Sequence, residues 1–103
     1  EVSGVNNTLP IAPTQLLNAP NPFNPRTEIK FGLPVDTSVT LQIFNVQGKL
    51  IRELINNQQF TSGDHTSVWD GRDSSGSSMP SGTYHYRLIT GVGTLSGKMS
   101  LVK

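Results

Sequence analysis

The sequence predicts an all-β domain, an antiparallel sandwich of about seven strands. Three observations predict it. From Thr27 onward apolar residues recur with period 2 in short runs. Turn clusters of Gly, Asn, Asp and Pro separate those runs at short intervals. No segment carries a helical pattern long enough for the crossover that parallel strands require.

Residues 1–15, EVSGVNNTLPIAPTQ, contain two prolines and no periodicity. They read as a linker, and residues 16–103 as the folded domain. The stretch NAPNPFNPR, Asn18–Arg26, holds Pro20, Pro22 and Pro25 around Phe23. Each proline fixes φ at about −65° and removes a backbone donor. It also pushes the residue before it, here Ala19, Asn21 and Asn24, toward extended geometry. This makes a rigid, extended lead-in with Phe23 as its apolar anchor.

Six strands follow. In TEIKFGL, Ile29, Phe31 and Leu33 share one face and Glu28 and Lys30 the other. Pro34 ends that strand. In SVTLQIFN, Val39, Leu41 and Ile43 face one way, and Thr40, Gln42 and Phe44 the other. Asn45-Val46-Gln47-Gly48 carries Asn first and Gly fourth, the preference of a type I turn. KLIRELI is ambiguous, because Leu50, Ile51, Leu54 and Ile55 also suit one helical turn. Its β-branched residues and neighbouring strands favour a strand. HTSVWD forms a strand ending at Trp69, followed by the loop DGRDSSGSSMPSG, in which Asp73-Ser74-Ser75-Gly76 repeats the same turn logic. TYHYRLIT places Tyr84, Tyr86 and Leu88 on one face, Gly91-Val92-Gly93 turns the chain, and LSGKMSLVK places Met99 and Leu101 inward.

This pattern fits an immunoglobulin-like or fibronectin type III-like sandwich. The expected core is Ile29, Phe31, Val39, Leu41, Ile43, Trp69, Tyr84, Tyr86, Leu88, Met99 and Leu101. Tyr84 is read either as a tyrosine corner or as a plain core aromatic.

A chain of 103 residues with formal net charge +1 is expected to be one small monomeric domain with a modest core. Its basic residues are dispersed along the sequence, so nothing points to nucleic acid or an anionic membrane. Its apolar runs fall far short of the roughly 20 residues of a membrane span. It has no cysteine, which removes disulfides and thiolate chemistry. His65, His85 and seven carboxylates supply no defensible Ser-His-Asp order, and no enzyme is expected. The loop after Trp69 fails the EF-hand pattern, with Arg72 third and Ser81 twelfth from Asp70. A plain turn cluster is the first reading there. A looser calcium site through Asp70, Asp73 and backbone carbonyls is the second. Trp69 is read as core ahead of a sugar-stacking platform.

Four segments together resemble one family. They are NAPNPFNPRTEIKFGLP, VTLQIFNVQGKLIREL, GDHTSVWDGRDSSGSSMPSGTYHYRL and KMSLVK. As an ordered set they resemble the type A C-terminal sorting domain of the type IX secretion system of Bacteroidetes and related bacteria. The immunoglobulin-like domain of a flagellar hook-capping protein has similar WDG and SGxY text. The sequence departs from the sorting family at Ser67, where that family more often has an apolar residue.

The resemblance implies a non-catalytic, cofactor-free sandwich trailing a secreted cargo, recognised by the outer-membrane translocon and removed by a sortase-like protease. The destination implied is the cell surface or the medium. By match, Pro20, Asn21, Pro22, Phe23, Asn24 and Pro25 form the opening motif. Gly82, Tyr84, Tyr86, Arg87 and Leu88 form the middle motif, and Lys98, Met99, Leu101 and Lys103 the terminal one. Under the resemblance the stiff run marks the border with the cargo and holds the sandwich clear of it, and processing falls in the linker before it. Two other readings are an accessory carbohydrate- or protein-binding module and a structural spacer.

Overall fold

The period-2 runs fold as strands. A computed structural model describes residues 15–22 and 26–103. The strands are β1 (Gln15–Ala19), β2 (Thr27–Leu33), β3 (Thr37–Asn45), β4 (Leu50–Phe60), β5 (Gly63–Trp69), β6 (Gly82–Thr90) and β7 (Gly93–Leu101). They form two antiparallel sheets, ordered β1-β2-β5 and β4-β3-β6-β7. This is the immunoglobulin-like sandwich, with the fourth strand joined to the β3-β6-β7 sheet. In the constant-type arrangement the fourth strand lies on the other sheet.

Part of what reads as linker and extended lead-in is a true strand. Gln15 to Ala19 pairs with Gly32 to Glu28, turning Leu16 inward and leaving Leu17 exposed. The leucine pair gives no alternation long enough to mark a strand. The prolines begin only after Ala19, so they do not interrupt the ladder.

Every residue expected in the core is buried, none more than 4% exposed, and Leu33, Ile51 and Ile55 join them. Trp69 and Tyr84 pack edge to face with ring centroids 5.2 Å apart. Of KLIRELI, Leu50 to Ile55 lie within β4. Its helix-like spacing comes from irregular pairing: the β3–β4 register shifts between Val39 and Leu41, Leu41 and Gln42, and Ile43 and Phe44. Each extra residue resets the inward–outward alternation, which lets Ile55 bury beside half-buried Leu54. At the first irregularity Asn57 takes a left-handed φ of 48°, and its amide donates to Thr40 Oγ1 at 3.0 Å.

Seven strands that alternate in direction deliver the chain to opposite ends of the sandwich. One end holds the start of β1 and the connections 34–36, 61–62 and 91–92. The other holds Pro20–Pro22 and Arg26, the connections 46–49 and 70–81 and the finish of β7.

Candidate functional site

That second end is built from two copies of one turn. Asn45 and Asp73 each open an Asx-x-x-Gly sequence, and both make the same four bonds. Asn45 N donates to Lys49 O, Gly48 N to Asn45 O, and the amides of Gln47 and Lys49 to Asn45 Oδ1, at 2.9–3.0 Å. Asp73 N donates to Ser77 O, Gly76 N to Asp73 O, and the amides of Ser75 and Ser77 to Asp73 Oδ1, also at 2.9–3.0 Å. The fourth position is left-handed in both, φ 82° at Gly48 and 90° at Gly76, which is why glycine stands there.

The Asp73 loop is fixed to the body of the domain. Ser74 N donates to Ile51 O, Met79 N to Gly71 O, and the buried Trp69 Nε1 to Arg72 O at 2.9 Å. Tyr84 Oη donates to Pro80 O at 2.7 Å, a phenol bonded back to the backbone four residues upstream. That is the tyrosine-corner arrangement. Burial pushes the phenols of Tyr84 and Tyr86 above their ordinary value of 10.0, so both remain protonated donors at neutral pH.

The three motif segments, distant in sequence, meet here. Register sets Gly82 opposite Leu101 and Tyr84 opposite Met99, so the middle and terminal motifs lie side by side. Asn21 of the opening motif is bonded to the terminal segment, and Asn18 of β1, just ahead of that motif, to the middle one. Asn21 Oδ1 accepts from Ser100 N at 3.0 Å, and Tyr86 Oη donates to Asn18 Oδ1 at 3.2 Å. Thr27 Oγ1 donates to Pro20 O at 3.0 Å, and Lys103 N donates to Ser81 Oγ at 3.0 Å. The Ala19-Pro20 and Asn21-Pro22 peptides are cis.

The proline run is therefore not a border in front of the sandwich. It is the connection between β1 and β2, because β1 precedes it and is part of the sheet. Pro20, Asn21 and Pro22 are exposed. Phe23, Asn24 and Pro25, and with them the anchoring role of Phe23, lie outside the described residues, as do residues 1–14. Tyr84, Tyr86, Leu88, Met99 and Leu101 are core, whereas Gly82, Arg87, Lys98 and Lys103 are exposed. Sequence reasoning missed Asn18, Thr27, Gly97 and Ser100. Their roles depend on which strands become neighbours, and no local pattern in the sequence marks that.

Trp69 is fully buried and cannot serve as a sugar-stacking platform. Ser67 lies in the inward half of the β5 alternation opposite Ile29, while Val68 points out, so the departure at Ser67 leaves Trp69 in register. Asp70 Oδ1 pairs with Arg52 Nη1 at 3.1 Å and accepts from Arg72 N. The Ser75 hydroxyl and then the Ser77 amide hold the Asp73 carboxyl below its ordinary 3.8. Among the described residues no group of three His, Cys, Asp or Glu side chains could hold a metal ion.

Comparison with known proteins agrees with this architecture. FLGD from P. aeruginosa, a crystal structure, is 31% identical over 73% of this chain and 58% of its own, with a TM-score of 0.58. Dimeric latent PorU from Porphyromonas gingivalis is similar at 19% identity and a TM-score of 0.74, over 97% of this chain and 10% of PorU. PorZ of the same organism, an essential bacterial surface component of the type-IX secretion system, is 15% identical with a TM-score of 0.58, over 85% of this chain and 11% of PorZ. The likeness to PorU and PorZ is one of fold, and the chain spans only about a tenth of either. No curated protein matches the sequence. Residues 21–91 match the FlgD Ig-like domain, and the chain belongs to that family.

Proposed function

We propose that this domain is a non-catalytic, monomeric sorting module that directs a preceding cargo through the type IX secretion system to the cell surface or medium. One observation carries the reading. The opening, middle and terminal segments are joined by the Asn21–Ser100, Asn18–Tyr86 and Ser81–Lys103 bonds, so that exposed Pro20, Asn21, Pro22, Gly82, Lys98 and Lys103 lie over the core formed by Tyr84, Tyr86, Met99 and Leu101. That surface lies toward the end of the sandwich opposite the start of β1. A translocon could engage it while cargo occupies the other end. The fold shared with PorU and PorZ supports the assignment. The proposed partners are the outer-membrane translocon and a sortase-like protease acting before β1.

Lys98 and Lys103 are exposed, so removing their charge should cost at most about 1 kcal/mol. A reporter fused ahead of the domain and carrying Lys98→Ala with Lys103→Ala should keep its melting temperature and lose export in a type IX-competent host. Normal export by the folded double variant would show that these lysines are not read. Export that survives deletion of the whole domain would reduce it to a spacer.

A further inference from the structure

Although the basic residues are scattered along the sequence, the register gathers three of them on the outer face of the β4-β3-β6-β7 sheet. One row across that face runs Leu50, Phe44, His85, Lys98, and the next runs Glu53, Gln42, Arg87, Ser96. His85 and Arg87 stand two residues apart on β6, on the same side of the pleat. Lys98 is directly opposite His85 on β7. The Arg87 guanidinium lies 4.8 Å from the centroid of the half-buried Phe44 ring, which restricts its rotamers. Below them is an open pocket of about 250 Å³, lined among others by Phe44, Val46, His85, Arg87 and Ser96.

The charge on this face is unbalanced. Among the described residues none of His85, Arg87 or Lys98 forms an ion pair with a carboxylate, and the sole ion pair is Arg52–Asp70. Glu53, the acidic member of the rows, has one oxygen occupied by Gln42 Nε2 at 2.9 Å. A guanidinium fork and an imidazole lining the pocket beside the Ser96 hydroxyl, with the Lys98 charge one strand position from His85, match a compact oxyanion. The apolar wall of Phe44 and exposed Val46 adds room for a ring-sized body next to it. A pocket of this volume holds one such group, whereas an acidic peptide needs a groove that runs on along the sheet.

We propose that this pocket is a binding site for a phosphate monoester or diester carried on a small polar body, such as a phosphorylated sugar or a lipid headgroup. Arg87 is the bidentate donor, His85 and Ser96 orient the oxyanion, and Lys98, outside the lining but opposite His85, adds to the positive field around it. The site stands independently of the sorting proposal, and the test uses purified chain with no export step.

Amide resonances are followed while the chain is titrated with glucose 6-phosphate, with glucose, and with an oligoglutamate peptide. Co-sedimentation with phosphatidylglycerol and phosphatidylcholine vesicles forms a parallel arm. Saturable shifts centred on Phe44, His85, Arg87 and Ser96 are expected with the phosphorylated sugar and not with glucose, at roughly millimolar affinity or tighter. Arg87→Gln should weaken binding at least about tenfold, and Arg52→Gln, already neutralised by Asp70, should leave it unchanged. Binding to phosphatidylglycerol vesicles alone, lost in Arg87→Gln, would support the site with a lipid headgroup as its source. Binding to the free sugar phosphate alone would support a soluble source. Shifts spread over all basic residues, equal loss in both variants, tighter binding of oligoglutamate, or no saturable binding in either arm would overturn it.

Discussion

Gly97 lies on β7 directly opposite Tyr86, and the Tyr86 ring lies against its backbone. A methyl group built there would sit 2.5 Å from the ring's Cζ and Oη and 2.9 Å from Cε2. The Gly97→Ala substitution must therefore displace the ring. The phenol is not a free side-chain end, because Tyr86 is 4% exposed and its hydroxyl is bonded to Asn18 Oδ1 across to β1. Forcing an extra methyl into a packed core costs about 1–3 kcal/mol. Breaking the Tyr86–Asn18 bond adds about 1 kcal/mol. Against this, alanine in a strand interior gains about 0.5–1 kcal/mol over glycine. The net is a loss of about 1–3 kcal/mol, a melting temperature lower by roughly 5–20 °C at about 4–8 °C per kcal/mol.

Thermal melts of the chain followed by circular dichroism would measure this, with two comparators. Tyr86→Phe keeps the ring and loses only the bond, so it should cost about 1 kcal/mol. In a Tyr86→Leu background the obstacle is gone, and Gly97→Ala should then cost at least about 1 kcal/mol less than in the parent, a coupling that a double-mutant cycle reads directly. A Gly97→Ala variant that melts at or above the parent temperature would refute the stacking of Tyr86 on Gly97. Equal costs in both backgrounds would refute it as well.

Met99→Ala and Leu101→Ala, at sites 1% and 2% exposed, should each lose about 2–5 kcal/mol in urea unfolding, and a loss below about 1 kcal/mol would contradict their burial. The Asp73 carboxyl is held below 3.8 in the folded state, so its contribution is present above the unfolded value and disappears as pH falls through the folded one. Asp73→Asn keeps the Oδ1 acceptor, as Asn45 does in the matching turn, and removes the titration. The gap in melting temperature between parent and variant should therefore shrink below about pH 4, and parallel curves down to pH 2 would contradict the shift.

The strands of this fold were legible because one face of each sheet is buried, so period-2 alternation maps onto burial wherever pairing is regular. The same logic predicted the turns at Asn45 and Asp73, whose chemistry is local. It weakened at KLIRELI, where two of the three register shifts broke the alternation that the pairing of β3 with β4 would otherwise impose. It failed at β1, which is too short for periodicity and owes its place to pairing with β2 and to the Asn18 and Asn21 side-chain bonds. The motif residues were identifiable from their text, but their meeting was not. The bonds that join Asn21 to Ser100 and Asn18 to Tyr86 span 79 and 68 positions, and only the order of strands brings them together. For the same reason the Arg87–His85–Lys98 face cannot be seen in a sequence whose charges are dispersed.

The position of the proline run follows from strand parity. From β2 onward six strands begin and finish at the same end of the sandwich, the end that carries the Asx turns and the C-terminal residues of β7. A chain running into β2 directly would bring whatever precedes it onto that surface. The additional strand β1 reverses the direction once more and sets its own start, Gln15, at the far end. After β1 the chain leaves the sheet edge and reaches β7, where Asn21 Oδ1 accepts from Ser100 N. Pro20 and Pro22 suit the start of that path because they leave no backbone donor unpaired. Asn18, Asn21 and Thr27 supply bonds to Pro20 O, Ser100 N and Tyr86 Oη along it. On the proposed reading, the run keeps the cargo away from the motifs not by separating it from the domain but by turning the chain around after the domain has begun.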